Sequence, residues 1–142
     1  MKLYLLNALI TPFKAGSEET AVFVCRKIDQ STFEDVIRAA EKDGWEIVSA
    51  LGHQTTVDFL HSILAPDVAK YVTFNRQEVY FEPGDVGLIW RVFTRTQEFK
   101  EWSVEELKEF YQAGKTEFLM SARVFAPELI LNPAKFCLKE DK

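Results

Sequence analysis

The stretch Asn75–Arg95, NRQEVYFEPGDVGLIWRVFTR, restricts the fold more than any other. Two runs rich in Val, Tyr, Phe, Ile and Trp flank Pro83-Gly84, a pair suited to a tight turn, so the spacing predicts a hairpin. Along its second arm the side chains alternate between faces. Leu88, Trp90 and Val92 share one face, and Ile89, Arg91, Phe93 and Arg95 share the other. A chain carrying such a hairpin must build a sheet and cover its apolar face.

Helical windows supply that cover. STFEDVIRAAEKDG places Ser31 as N-cap with Glu34 three residues on, apolar Phe33, Val36, Ile37 and Ala40 at helical spacing, and Gly44 as a stop. Thr55 and Asp58 form a second capping pair before a stripe of Val57, Leu60, His61 and Leu64, which Pro66 ends. A third helix is predicted in WSVEELKEFYQAGK, with Ser103 and Glu106 capping, Leu107, Phe110 and Tyr111 as the stripe, and Gly114 closing it. KLYLLNALI and TAVFVCRKI read as strands joined by a loop from Pro12 to Glu19, WEIVSALG as a partly extended link, and Thr116 to Val124 as a last strand. The expected fold is α/β (α+β-like): a single domain over residues 1–125, with a mixed sheet of about five strands packed against helices. Residues 126–142, with Pro127 and Pro133, read as a loosely packed tail.

Composition narrows the function. At 142 residues and 47% hydrophobic, the chain suits one core. Its first residues read as a strand rather than a leader, and no apolar run approaches the roughly 20 residues of a membrane span. A soluble, cytoplasmic protein is expected, with Cys25 and Cys137 as reduced thiols. The formal net charge of −5 argues against a duplex nucleic-acid binder, which normally presents a basic surface. A small anionic ligand remains compatible, provided a few arginines converge in one pocket.

Several chemistries fail on residue type. Two histidines and two distant cysteines offer no zinc spacing, and GxxxxGK[ST], GxGxxG and GxSxG are all missing, so no metal and no cofactor is expected. His53 stands directly after Gly52 at a predicted helix start, where a histidine serves more often as a cap or buried partner than as a catalyst. His61 falls on the apolar stripe and reads as packing. Arg91 and Arg95 suit an exposed sheet face as readily as a site, and Glu98 suits an ordinary loop. Together, though, one placed histidine, several arginines and a glutamate equip a chain to handle a phosphodiester without metal. An internal 2′-hydroxyl attacks phosphorus, an acid protonates the departing 5′-oxygen, and cations stabilise phosphoryl charge. His53 has the side chain for that acid. The first turn Gly52-His53-Gln54-Thr55 offers free N–H groups to a phosphate.

YLLNA, DGWEIVSALGHQTTVDFLHSIL, NRQEVYFEPGD followed by TRTQEFK, and WSVEELKEFYQAGKTEFL carry a resemblance over most of residues 1–125. In order and spacing the chain resembles the anti-CRISPR ring nucleases first recognised in archaeal viruses, with their CRISPR-associated cellular relatives. The resemblance implies a C2 homodimer that binds cyclic tetra-adenylate in a shared groove framed by the second and third predicted helices. It implies metal-independent cleavage to linear di-adenylate, which switches off type III CRISPR signalling. By position, the family's catalytic histidine falls on His53, its motif arginine on Arg95 and its motif glutamate on Glu98. These would act as general acid, phosphoryl stabiliser and partner of the 2′-hydroxyl. Asn7 and Arg76 fall on ligand contacts, and Arg91 where the family can place a polar pocket residue. The family commonly has Gly after the glutamate, where this chain has Phe99. A non-catalytic binder of the cyclic nucleotide and a small dimeric interaction protein are the alternative functions.

Overall fold

The computed structural model describes residues 1–9, 21–93 and 101–125. Five strands, β1 (Lys2–Leu6), β2 (Val22–Ile28), β3 (Glu46–Ser49), β4 (Val86–Val92) and β5 (Thr116–Val124), form one sheet in the order β2-β5-β4-β1-β3. β1 is parallel to both β3 and β4, whereas β5 is antiparallel to β4 and β2. Parallel neighbours require crossovers, and α1 (Gln30–Lys42), α2 (Gln54–Ile63) and the short α3 (Pro66–Ala69) lie within them. α4 (Val104–Gln112) connects β4 to β5.

Strand alternation divides the sheet into two faces. Leu3, Leu5, Leu88, Trp90 and Phe118 point to the helical side, where Phe33 and Ile37 of α1, Val57, Phe59 and Leu60 of α2, and Leu107 of α4 complete the main core. Burying each such large apolar side chain contributes about 1.5–3 kcal/mol. Tyr4, Leu6, Ile89 and Leu119 point the other way and meet Val79 and Phe81.

That second cluster corrects the predicted hairpin. The turn at Pro83-Gly84 exists, with Gly84 at φ +96° and Asp85 N–H donating to the Glu82 carbonyl at 2.9 Å, but residues 75–82 form no strand. β1 and β5 already occupy both edges of β4. The first arm therefore lies across the sheet and buries Val79 and Phe81 as cover. Phe81 stacks on Tyr4, with ring centroids 5.0 Å apart.

Two helix starts also differ from expectation. Asp29, not Ser31, caps α1 by accepting from Thr32 N–H, and this bond holds the Asp29 carboxyl below its usual range. Glu34 accepts instead from Ala65 N–H at 2.7 Å and so ties α1 to the start of α3. α2 begins one residue before Thr55, with His53 at the N-cap, and Asp58 accepts from Gln54 Nε2 rather than capping. Pro66 opens α3 instead of ending α2. The capping box of Ser103 and Glu106 is present on α4. Gly44 and Gly114 follow their helices at φ +75° and +72°, the left-handed conformation a helix stop favours. His61 is exposed, but its Nε2 lies 2.6 Å from the Val72 carbonyl.

Candidate functional site

Because β3, β1 and β4 run parallel, their carboxyl ends open on the same edge, where α/β sheets place ligands. Asn7 follows β1, Gly52 and His53 follow β3, and Arg91 is the penultimate residue of β4. Asn7, His53 and Arg91 line one cavity of about 140 Å³. Trp90, Trp102, Leu107 and Glu101 line it as well. Three residues far apart in sequence thus meet in one pocket, and α2 and α4 both contribute to it.

Local geometry fixes His53. His53, the N-cap residue of α2, makes no cap hydrogen bond from its own side chain. Nδ1 is buried and has no hydrogen-bond partner among the described residues, while the side chain as a whole remains 44% exposed. Nε2 is thus the nitrogen left to meet a ligand. The nearest acceptor to Nδ1 is Glu101 Oε1 at 4.0 Å. That same oxygen accepts from Thr55 N–H at 3.5 Å and from Thr55 Oγ1 at 3.4 Å. The predicted phosphate seat at the first turn of α2 is therefore partly taken by the protein's own carboxylate.

Arg91 is aimed by a neighbour on β5. Glu117 stands opposite it in the antiparallel register and takes Nε at 2.9 Å and a terminal guanidinium nitrogen at 2.8 Å. Charge-assisted bonds of this kind fix a guanidinium plane and leave its other N–H groups for a ligand. Trp90 presents a second unsatisfied group, because its indole N–H is buried without a partner among the described residues. Such a donor beside a cavity needs an acceptor, and a bound ligand or water can supply one.

Arg76 and Gln54 lie outside the cavity wall. Arg76 Nε donates to the Gly52 carbonyl at 2.9 Å, and its guanidinium lies 5.8 Å from the Phe74 ring centroid. A strap over residues 73–77 carries it. Thr73 N–H donates to Ser49 Oγ, Asn75 N–H to the Leu51 carbonyl, and the amides of Asn75 and Gln77 to the Ser49 carbonyl. Gly52 does not use a left-handed φ, and a Cβ there would meet Arg76 Cγ at 3.4 Å, an ordinary contact. Gln54 is exposed and bonded to Asp58 at 2.9 Å. Arg95 and Glu98 lie outside the described residues.

Sequence reading missed Glu101, Trp90 and Trp102 as members of the site. Trp90 reads as core by periodicity, and it is core that also touches the cavity. Glu101 precedes a capping box and carries no signal of its own. No cluster of three or more His, Cys, Asp or Glu suited to a metal ion occurs among the described residues, nor does a helix long and apolar enough to cross a membrane.

Fold and pocket together define a small α+β protein with a cavity of mixed polar and apolar lining at the carboxyl edge of a mixed sheet. The chain belongs to the STIV B116-like family, whose profile matches residues 3–117. It is 29% identical over 115 residues to protein ORF116 of Acidianus filamentous virus 1, spanning 81% of this chain and 90% of that one. To ORF117 of Acidianus two-tailed virus it is 34% identical over 96 residues, spanning 68% and 74% respectively. Among solved structures, B116 of Sulfolobus turreted icosahedral virus superposes with a TM-score of 0.57 at 24% identity, covering 86% of this chain and 99% of that one. The fold is shared with that viral protein.

Proposed function

We propose that the chain is a metal-independent ring nuclease that binds cyclic tetra-adenylate and cuts it to linear di-adenylate. The observation that carries this reading is the convergence of Asn7, His53 and Arg91, residues the family resemblance selects independently, on one cavity. In the reaction the ring's 2′-oxygen forms a bond to the adjacent phosphorus as the bond to the 5′-oxygen breaks. Each cut leaves a 2′,3′-cyclic phosphate and a 5′-hydroxyl. His53 Nε2–H gives its proton to the departing 5′-oxygen, and the 2′-hydroxyl proton passes to Glu98. Arg91 and Arg95 balance charge on the phosphoryl oxygens.

A C2 homodimer suits this substrate, because a twofold ring then meets two copies of His53 at opposite linkages. Apolar surface at the same edge supports it. Leu9, Phe74 and Phe93 are 44%, 46% and 43% exposed, and they follow or flank the strand ends that carry the site. Exposed large apolar side chains beside those strand ends suit a partner surface. Destruction of the messenger would silence the nucleases it activates in a type III CRISPR response, which fits relatives encoded by viruses.

The test is incubation of the purified protein with cyclic tetra-adenylate in excess EDTA, with products resolved by chromatography and mass. Wild type should release linear di-adenylate, and His53→Ala should be slower by about 10²–10⁴-fold, the usual contribution of a general acid. An intact ring from both proteins would refute cleavage. Retention of the ring on the protein would then mark a sponge, and absence of saturable binding an interaction protein.

A further inference from the structure

We propose that Glu101 is the positioning residue for His53: its carboxylate takes Nδ1–H of the imidazole and leaves Nε2 as the atom that faces the ligand. This inference rests on the reading of His53 as the proton donor given above. Four observations carry it. Nδ1 is inaccessible to solvent and has no other partner among the described residues, so a nitrogen that must either donate or accept is left facing one group. That group is Glu101 Oε1 at 4.0 Å, an acceptor with no proton to give, which selects the Nδ1–H form. Both residues line the same cavity. Thr55 donates its N–H and its hydroxyl to that oxygen at 3.5 and 3.4 Å, which keeps the half-exposed carboxylate beside the first turn of α2.

The 4.0 Å separation is longer than a hydrogen bond. A small rotation of the imidazole closes it, and catalytic hydrogen bonds are commonly long in the ligand-free state and tighten when substrate binds. The chemical gain is orientation: a fixed Nδ1–H directs Nε2, and so the transferable proton, into the cavity. After transfer the ring is neutral with its proton still on Nδ1, the tautomer Glu101 selects.

The chain holds its own control, because its other histidine has the opposite constraint. His61 Nε2 lies 2.6 Å from the Val72 carbonyl, which can only accept, so His61 must be the Nε2–H tautomer. With two histidines, two-bond ¹H–¹⁵N correlation spectra of ¹⁵N-histidine-labelled protein report both rings separately. They are recorded at about pH 8.5, roughly two units above the ordinary imidazole value. The expected result is Nδ1–H for His53 and Nε2–H for His61 in wild type. In Glu101→Ala, His53 should move to the Nε2–H form that imidazoles favour in water, with the His61 signals unmoved as proof of folding. Glu101→Asp should restore part of the wild-type pattern.

Kinetics on cyclic tetra-adenylate give the second arm. Glu101→Ala should lower kcat roughly tenfold, the equivalent of one charge-assisted hydrogen bond at a half-exposed site, with KM within about twofold. An Nε2–H tautomer for His53 in wild type would overturn the proposal, as would a tautomer unmoved by Glu101→Ala. So would a fall in KM at constant kcat, which would mean that the carboxylate only competes with phosphate for the first turn of α2. If wild type cuts no ring, the role of His53 in cleavage fails, while the spectra still decide whether Glu101 holds its imidazole.

Discussion

Gly87 is the notch into which the crossing segment fits, and Gly87→Ala should measure how tightly it fits. A Cβ at that position lies 2.7 Å from Phe81 Cζ, 3.3 Å from Phe81 Cε2 and 3.2 Å from Leu6 Cδ1. Real Cβ atoms essentially never approach within 3.0 Å, so something must move. The ring cannot swing aside cheaply, because Phe81 is 3% exposed, stacked on Tyr4 and flanked by Phe23 at 5.7 Å. Overpacking of this kind costs about 1–3 kcal/mol. Replacing glycine also removes unfolded-state freedom, which offsets about 0.4–1 kcal/mol. The net expectation is a loss of about 1–2 kcal/mol. For 142 residues, at about 2.1 cal/mol/K of unfolding entropy per residue, that is a fall in Tm of roughly 3–7 °C. Thermal unfolding by circular dichroism reads it directly. A double-mutant cycle with Phe81→Leu isolates the cause, because removing the ring frees the space. Gly87→Ala should then become neutral or stabilising, with a coupling of at least about 1 kcal/mol. Strict additivity with Phe81→Leu, or an unchanged Tm in the single variant, would show that Phe81 does not pack against the bare face of Gly87.

Two further predictions address the cap and the pocket. The Asp29 carboxyl titrates below its ordinary value in the folded chain because Thr32 N–H donates to it, so its stabilisation is present above about pH 4 and is lost as pH falls through the lowered value. Asp29→Asn caps comparably without that titration, so its Tm should be less sensitive to acid between about pH 5 and 2 than wild type, whereas Asp29→Ala should melt lower at neutral pH. An Asn variant with wild-type acid sensitivity would remove Asp29 as a source of the slope. Arg91→Met should destabilise by only about 1 kcal/mol, roughly 3 °C, since its pairing with Glu117 is partly exposed. Its Kd for cyclic tetra-adenylate, read by calorimetry, should rise roughly tenfold, as expected when one charge-assisted contact is lost. An unchanged Kd would take Arg91 out of the ligand site.

Local signals in the sequence were sound where local chemistry decides the outcome. Ser103 with Glu106, the stops at Gly44 and Gly114 and the Pro83-Gly84 turn depend on neighbours a few residues away, and all occur where the spacing puts them. The bounds of β5 also match. The errors arise where a distant element competes. Residues 75–82 have strand composition, but pairing partners are set by topology, and β1 and β5 leave β4 no free edge. Ser31 has the right spacing to cap α1, but Asp29 lies two residues earlier and reaches Thr32 first. Glu34 is drawn away to Ala65 across 31 residues. Of the residues lining the cavity, His53 stood out in the sequence by following Gly52 at a helix start and Arg91 by its face of a strand, whereas Asn7 came from the family resemblance alone. Glu101 was not legible, because its relation to Thr55 spans 46 residues and exists only after α2 and α4 pack together.

The tryptophans give the cavity an optical property. Trp90 and Trp102 both line it, whereas Trp45, the third in the chain, stands against α1 in a separate apolar recess with Val36 and Ala39. A purine or phosphate bound beside His53, as proposed above, would change the surroundings of two indoles and leave the third alone. Trp90, whose N–H faces no partner among the described residues, would gain an acceptor. Occupancy should then be readable in the native ultraviolet fluorescence, with Trp45 as the constant background of a label-free titration.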